Sequence, residues 1–136
     1  MTIRYHPGQG VVVICNYRPG FKPPEMVKRR PVIILCKPRK NRPQLCTVVP
    51  LSTTPPDRAE SYHAEIALPF AMPPPFDAPK QWVKGDMVNA VGFHRLDLLP
   101  MWPASSDKRQ YNIQPVGPEL LEVVQRCLLA SLSLTI

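Results

Sequence analysis

The 136-residue sequence has few of the features that mark membrane, secreted or flexible proteins. Its apolar runs fall well short of the ~20 residues needed to cross a bilayer. The first ten residues, MTIRYHPGQG, lack the apolar segment of a secretory signal. Only six glycines accompany 19 prolines, which excludes a flexible low-complexity chain. We therefore expect a cytoplasmic protein that does not associate with a membrane.

The cysteines and histidines do not occur at the spacings of metal sites. None of the four cysteines forms a C-x-x-C pair, and His6, His63 and His94 are widely separated. Structural zinc sites need such ligands at short, regular spacings, and a disulfide framework is not expected without a secretory signal. The sequence predicts no metal and no cofactor, and the cysteines are interpreted as small buried hydrophobic residues.

Proline is abundant, and its number restricts the fold class. Proline breaks helix interiors, so this sequence excludes a helical bundle and favours short strands joined by stiff loops. Runs rich in β-branched and apolar residues predict the strands. These runs cover residues 10–16, 31–36, 45–51, 62–68, 81–86 and 87–92, the last two forming one strand or two with a break at Gly85. Residues 31–36 are apolar on both faces and are expected to be central, with Pro31 opening the strand because it cannot donate to a sheet.

A helix is predicted only near the C-terminal end of the sequence. Pro118 is expected at the first helical position, where its missing N–H costs nothing. Apolar residues recur every three or four positions from Leu120 to Leu132. We expect a helix over about residues 118–132 that packs against the sheet, and an irregular connection over residues 100–114. The predicted fold is a small, mostly antiparallel β-barrel closed by this helix, in one domain spanning residues 1–136.

Acidic residues are nearly absent from the first third of the sequence. Residues 1–50 contain ten basic side chains and one acidic residue, Glu25, whereas residues 51–136 contain seven basic and nine acidic ones. A positive field concentrated in this way indicates a polyanionic partner, either nucleic acid or an acidic protein. The alternative is a basic surface that is simply solvated.

Two polar stretches flank the predicted hairpin of residues 31–51. Lys28, Arg29 and Arg30 precede its first strand, and Ser52, Thr53 and Thr54 follow its second. If the two strands pair antiparallel, Arg30 lies near Ser52. The arginine guanidinium suits phosphate because its planar fork donates two hydrogen bonds. A solvated face and a turn cap are the alternatives without function.

A third polar stretch, Lys84 and Asp86, is placed by its spacing on one face of a strand. The alternative is a surface ion pair of little consequence.

Four sequence blocks, taken in order, resemble the PemK/MazF family of toxins from type II toxin–antitoxin modules. They are GVVVI at 10–14, KRRPVIIL at 28–35, TVVPLSTT at 47–54 and WVKGD at 82–86, and the resemblance covers about residues 8–132. It implies an SH3-like barrel with a C-terminal helix, a homodimer, and cleavage of single-stranded RNA by the substrate's own 2′-hydroxyl without a metal. It also implies a cognate antitoxin, with DNA binding expected only through the antitoxin complex.

The resemblance also implies which residues act. Arg30 is predicted to stabilise the transition-state charge and Ser52 to hold a phosphate oxygen, while Asp86 serves as a base or an RNA contact. Ser52 stands where the family more often has threonine, and Lys84 stands where it has arginine. The predicted RNA-binding residues are Glu25, Lys28, Arg29, Thr53, Lys84 and His63. His63 is a candidate base, although a half-exposed strand histidine without a role is the alternative.

The sequence leaves two other functions open. One is a toxin of the same fold that binds DNA gyrase, as CcdB does, and the pairing of Arg30 with Ser52 argues against it. The other is a non-catalytic barrel that binds nucleic acid or protein through its basic first third. RNA cleavage in the presence of a chelator separates both from an endoribonuclease.

Overall fold

The computed structural model describes residues 1–18, 20–103 and 110–134. In this part of the chain eight strands and one α-helix form. They are β1 (Val12–Asn16), β2 (Arg29–Ile34), β3 (Leu45–Ser52), β4 (His63–Ile66), β5 (Gln81–Lys84), β6 (Asn89–Gly92), β7 (Leu96–Pro100), β8 (Tyr111–Asn112) and α1 (Pro118–Ser131). No helix among these residues has the length and apolar character to cross a membrane.

The strands form one sheet in the order β4-β5-β3-β2-β1-β7-β8, with β6 also paired to β3. Every pairing is antiparallel, including the predicted hairpin of β2 and β3, in which Val32 lies opposite Pro50. The mostly β class with a C-terminal helix is confirmed. Within the described residues β4 and β8 do not pair with each other, so the sheet stays open where a closed barrel was expected.

Pro31 does not open its strand as predicted, because β2 already begins at Arg29. The Ile34 N–H donates to the carbonyl oxygen of Val11, the residue just before β1. Backbone groups alternate in direction along a strand, so the even-numbered residues of β2 face β1 and Pro31 faces β3. Pairing with β3 starts only at Val32. The missing N–H of Pro31 therefore removes no ladder hydrogen bond, and the strand can continue past the ring.

The segment 81–92 forms two strands with the predicted break at Gly85. β3 pairs with β6 through residues 45–48 and with β5 through residues 51–52. A 3-10 turn over Gly85–Met87 separates the two partners. Pro50 lies between these two stretches. On the edge of β3 that faces β5 and β6, no partner strand needs its missing N–H.

Two strands near residue 100 were not predicted. β7 pairs with β1 and β8 pairs with β7, although β8 falls inside the expected irregular connection. Residues 104–109 of that connection lie outside the described residues. Both strands are short and form through distant partners, so local sequence pattern does not reveal them.

The central strands bury both faces, as the unbroken apolar run of β2 predicts. Ile33 belongs to a cluster that includes Val124 and Cys127 of α1, whereas Val32 and Ile34 belong to a second cluster on the other face. The helix therefore covers one face of the sheet, as expected. Cys15, Cys46 and Cys127 are buried, in agreement with their interpretation as small hydrophobic residues, and Cys36 is partly exposed.

Candidate active site

Arg30 and Ser52 contact each other across β2 and β3, which confirms the proximity expected from the hairpin register. Arg30 Nη1 donates to Ser52 Oγ over 3.2 Å. The same hydroxyl accepts the Thr54 N–H at 3.1 Å and donates to the Thr54 carbonyl oxygen at 3.3 Å. Ser52 is only 5% exposed. It therefore holds both the guanidinium and the turn that follows β3.

The side chains of the run Lys28-Arg29-Arg30 do not all face the same way. Arg30 faces Ser52, whereas the Arg29 guanidinium lies 3.9 Å from the Asp97 carboxylate with half of its side chain exposed. Successive side chains of a strand point to opposite faces, and this alternation separates the two arginines. Lys28 is exposed at the approach to β2.

Lys84 is a second cation beside Arg30. It lies opposite His63 in the pairing of β5 with β4. Burial, and next the charge of Arg30, hold the pKa of Lys84 below its usual value, while the charges of Asp86 and Asp57 oppose this shift. No ion pair within the described residues includes Arg30 or Lys84. The two cations thus act on each other electrostatically and neither forms an ion pair with a described carboxylate, and this arrangement suits an anionic ligand.

Asp86 does not share a strand face with Lys84, contrary to prediction. β5 ends at Lys84, and Asp86 lies on the 3-10 turn that follows. The cause is Gly85, whose N–H donates to the Tyr62 carbonyl at 3.0 Å. A Cβ at Gly85 would lie 2.6 Å from that oxygen and 2.9 Å from the Cys127 backbone. Close packing of α1 on this glycine therefore sets the position of Asp86.

His63 pairs in register with Lys84 and lies near Asp86, and its side chain is less exposed than the half-exposed strand histidine that was the expected alternative. Its side chain is 9% exposed, and Nε2 lies 3.9 Å from Asp86 Oδ1. Nδ1 accepts the Glu60 N–H at 3.0 Å. The neutral ring must then carry its proton on Nε2, facing Asp86. His63 Nε2 therefore faces the Asp86 carboxylate, beyond hydrogen-bond distance, and the ring has no free lone pair with which to accept a proton.

The remaining predicted residues lie at the margin. Thr53 is exposed beside Ser52. Glu25 lies in an exposed loop, where its carboxylate accepts the Lys22 N–H at 3.1 Å, and no described contact links it to Arg30.

Two neighbours of the cations were not predicted. The charge of Asp57 acts on Lys84. Tyr17 is fully buried, and burial raises the pKa of its hydroxyl while the charge of Arg30 opposes that rise. The sequence around neither residue indicates its proximity to the cations, because tertiary packing determines the path of the loops that carry them.

The site thus combines two cations, a hydroxyl fixed by hydrogen bonds, and a partly exposed carboxylate near a histidine. The cations can bind a phosphate group and stabilise additional negative charge on it. The carboxylate can accept a proton from a nearby hydroxyl. This combination suits chemistry at a phosphodiester.

Comparison with known proteins identifies the family. The family described as PemK-like, MazF-like toxins of type II toxin–antitoxin systems matches residues 8–129. The uncharacterised protein YifN of Escherichia coli (strain K12) is 31% identical over 156 aligned positions, covering 98% of this chain and 96% of that protein.

Solved structures share the fold. MazF (Form-I) from Deinococcus radiodurans has a TM-score of 0.62 at 16% identity, covering 96% of this chain and 100% of that one. An endoribonuclease in complex with its cognate antitoxin, from a mycobacterial species, has a TM-score of 0.59 at 20% identity, covering 96% and 99% of the two chains. The family match extends over nearly the whole sequence and includes every residue of the candidate site. The chain therefore belongs to the PemK-like, MazF-like toxins of type II toxin–antitoxin systems.

Proposed function

We propose that this protein is a toxin endoribonuclease that cleaves single-stranded RNA by attack of a 2′-hydroxyl on the adjacent phosphate. The observation that carries the proposal is the contact of Arg30 with Ser52 beside a second cation, Lys84. Family membership supports it, as does the fold shared with a mycobacterial endoribonuclease. The products are a 2′,3′-cyclic phosphate and a 5′-hydroxyl.

The side chains of the site suit phosphate binding, charge stabilisation and removal of the 2′-hydroxyl proton, and the leaving 5′-oxygen takes its proton from water. Arg30 and Lys84 bind the scissile phosphate and stabilise the phosphorane, whose negative charge exceeds that of the substrate. Ser52 holds the Arg30 guanidinium in position. Asp86, whose side chain is 37% exposed, accepts the proton of the 2′-hydroxyl. Because the nucleophile belongs to the RNA and the cations come from side chains, the reaction proceeds without a metal ion.

RNA binding extends from the site onto the basic first third of the chain. Lys28 and Arg29 lie at the start of β2 and Thr53 follows β3, so the three are suited to phosphates that flank the cleaved one. Neutralising several phosphates releases counterions, and affinity should therefore fall as salt rises.

The proposal includes the partners that belong to a module of this family. A cognate antitoxin neutralises the enzyme, as the complex of the mycobacterial neighbour suggests. The protein acts as a homodimer in the cytoplasm, where its RNA substrate is found, and it reaches DNA only through the antitoxin complex.

The decisive experiment is cleavage of a random-sequence, single-stranded RNA pool by purified protein in EDTA. We expect products whose 5′ ends accept phosphate from polynucleotide kinase without prior phosphatase treatment. Once the cut site is mapped, an oligonucleotide with a 2′-deoxy group at that position should bind with nearly unchanged affinity and remain intact. Activity that requires magnesium, or cleavage of the 2′-deoxy oligonucleotide, would exclude the mechanism. Salt-dependent RNA binding without cleavage would indicate a non-catalytic barrel.

A further inference from the structure

A second cluster of reactive groups surrounds Cys36, just beyond the end of β2 that lies away from Arg30. His6 Nε2 lies 3.6 Å from the Cys36 sulfur, and Arg42 Nη1 lies 3.8 Å from it. All four cysteines of the chain fall within the described residues, and Cys36 is the one that is not buried. The proposed RNA chemistry does not use this cluster.

The hydrogen bonds of His6 determine which ring nitrogen faces the thiol. Nδ1 lies 2.6 Å from the Pro7 carbonyl oxygen. A carbonyl can only accept, so Nδ1 carries the proton and Nε2 presents its lone pair to Cys36. A nucleophile, a base and a group that orients the base are the parts of an activated cysteine. Cys36, His6 and the Pro7 carbonyl supply these three parts.

Arg42 places a fixed positive charge at the same sulfur. Its Nη1 also donates to Thr47 Oγ1 at 2.8 Å, and this bond holds the guanidinium beside the thiol. Within residues 37–44 there are four basic side chains and no acidic one. A thiolate is stabilised beside arginine and a histidinium, and the surrounding positive potential attracts anionic reagents.

The other cysteines lack such surroundings. Burial raises the pKa of Cys15 to about 11 and that of Cys46 to about 12, and it also raises the pKa of Cys127. Buried, protonated thiols are inert. Any thiol chemistry of the folded protein should therefore be confined to Cys36.

We propose that Cys36 is an activated thiol that is modified by small anionic disulfides, such as oxidised glutathione, to form a mixed disulfide. The Cys36 proton passes to His6 Nε2, and the thiolate attacks one sulfur of the disulfide. The reagent's S–S bond breaks as the protein–glutathione S–S bond forms. The leaving glutathione thiolate then takes the proton from His6. One protein thiol and one disulfide yield one mixed disulfide and one free thiol.

The test is the rate at which the native protein acquires glutathione at pH 7, followed by intact mass and peptide mapping. We expect a single adduct at Cys36. His6→Gln removes the base that takes the Cys36 proton, so it should slow the reaction by up to ~10²-fold, the low end of what a positioned base contributes. Arg42→Gln should slow it as well. Arg39→Gln is the matched control, because it removes a charge from the same loop and Arg39 has no described side-chain contact with Cys36.

Two further measurements complete the test. In urea, all four cysteines should react at similar rates, so the preference for Cys36 should disappear. Relative to the unfolded chain, the folded protein should prefer oxidised glutathione over the cationic disulfide cystamine. Equal labelling of the native cysteines, or a His6→Gln protein that is folded by thermal melting and reacts at the wild-type rate, would overturn the proposal. No arm uses RNA, so the result is independent of the proposed nuclease activity.

Discussion

Replacing Arg30 by alanine should reduce RNA cleavage far more than RNA binding. In the proposed reaction the guanidinium meets the phosphate where negative charge increases as the phosphorane forms, so its contribution is largest in the transition state. Loss of one such donor typically costs ~10²–10³ in rate, or about 3–4 kcal/mol. The effect on folding should be smaller, because the substitution removes a hydrogen bond to Ser52 that is worth ~1 kcal/mol.

Arg29→Ala is the matched control for this experiment, since it removes the same charge one residue earlier. Arg29 faces away from Ser52 and lies 3.9 Å from Asp97 in a half-exposed pair, which contributes at most ~1 kcal/mol to stability. Its loss should weaken RNA binding and lower the slope of log affinity against log salt by about one, as expected for a single phosphate contact. The rate of the bound complex should change little.

The assay is single-turnover cleavage of an oligonucleotide containing the mapped cut site, with enzyme in excess over RNA. Varying the enzyme concentration separates the rate of the bound complex from the affinity, and thermal melts exclude unfolding. Equal losses for Arg29→Ala and Arg30→Ala would mean that the basic run acts only as a charge patch. An Arg30→Ala protein that cleaves at the wild-type rate would refute the site.

Three further substitutions test the surroundings of Arg30. Ser52→Ala should slow cleavage and lower the melting temperature, because the Thr54 N–H loses its acceptor. Ser52→Thr should retain activity because the hydroxyl remains, and equal cleavage rates for the two variants would contradict this reasoning. Lys84→Gln should slow cleavage yet raise the melting temperature, because burial and the charge of Arg30 disfavour the lysine charge in the folded state. A lower melting temperature would disprove this reasoning. Gly85→Ala should destabilise the fold by ~1–3 kcal/mol and impair cleavage, because the new Cβ would lie 2.9 Å from Cys127. An unchanged midpoint of denaturant unfolding would contradict the tight packing.

Local pattern was sufficient for the parts of the molecule that depend on neighbouring residues. The two-residue period of a strand places Arg29 and Arg30 on opposite faces, and the antiparallel pairing of adjacent strands brings Arg30 to Ser52. Pro118 and the helical spacing after it predicted α1 to within a residue at each end. Short strands with distant partners, such as β7 and β8, carry no comparable signal.

The tertiary structure decided the geometry around Asp86. The Lys-x-Asp spacing predicted one strand face, yet the contact of Gly85 with α1 and Tyr62 ends β5 and turns Asp86 toward His63. Nothing in the sequence near Asp57 indicated that its charge acts on Lys84. Residue periodicity determines which way a side chain points from its own strand. Which elements pack together determines what that side chain meets, because those contacts join residues that are far apart in the chain.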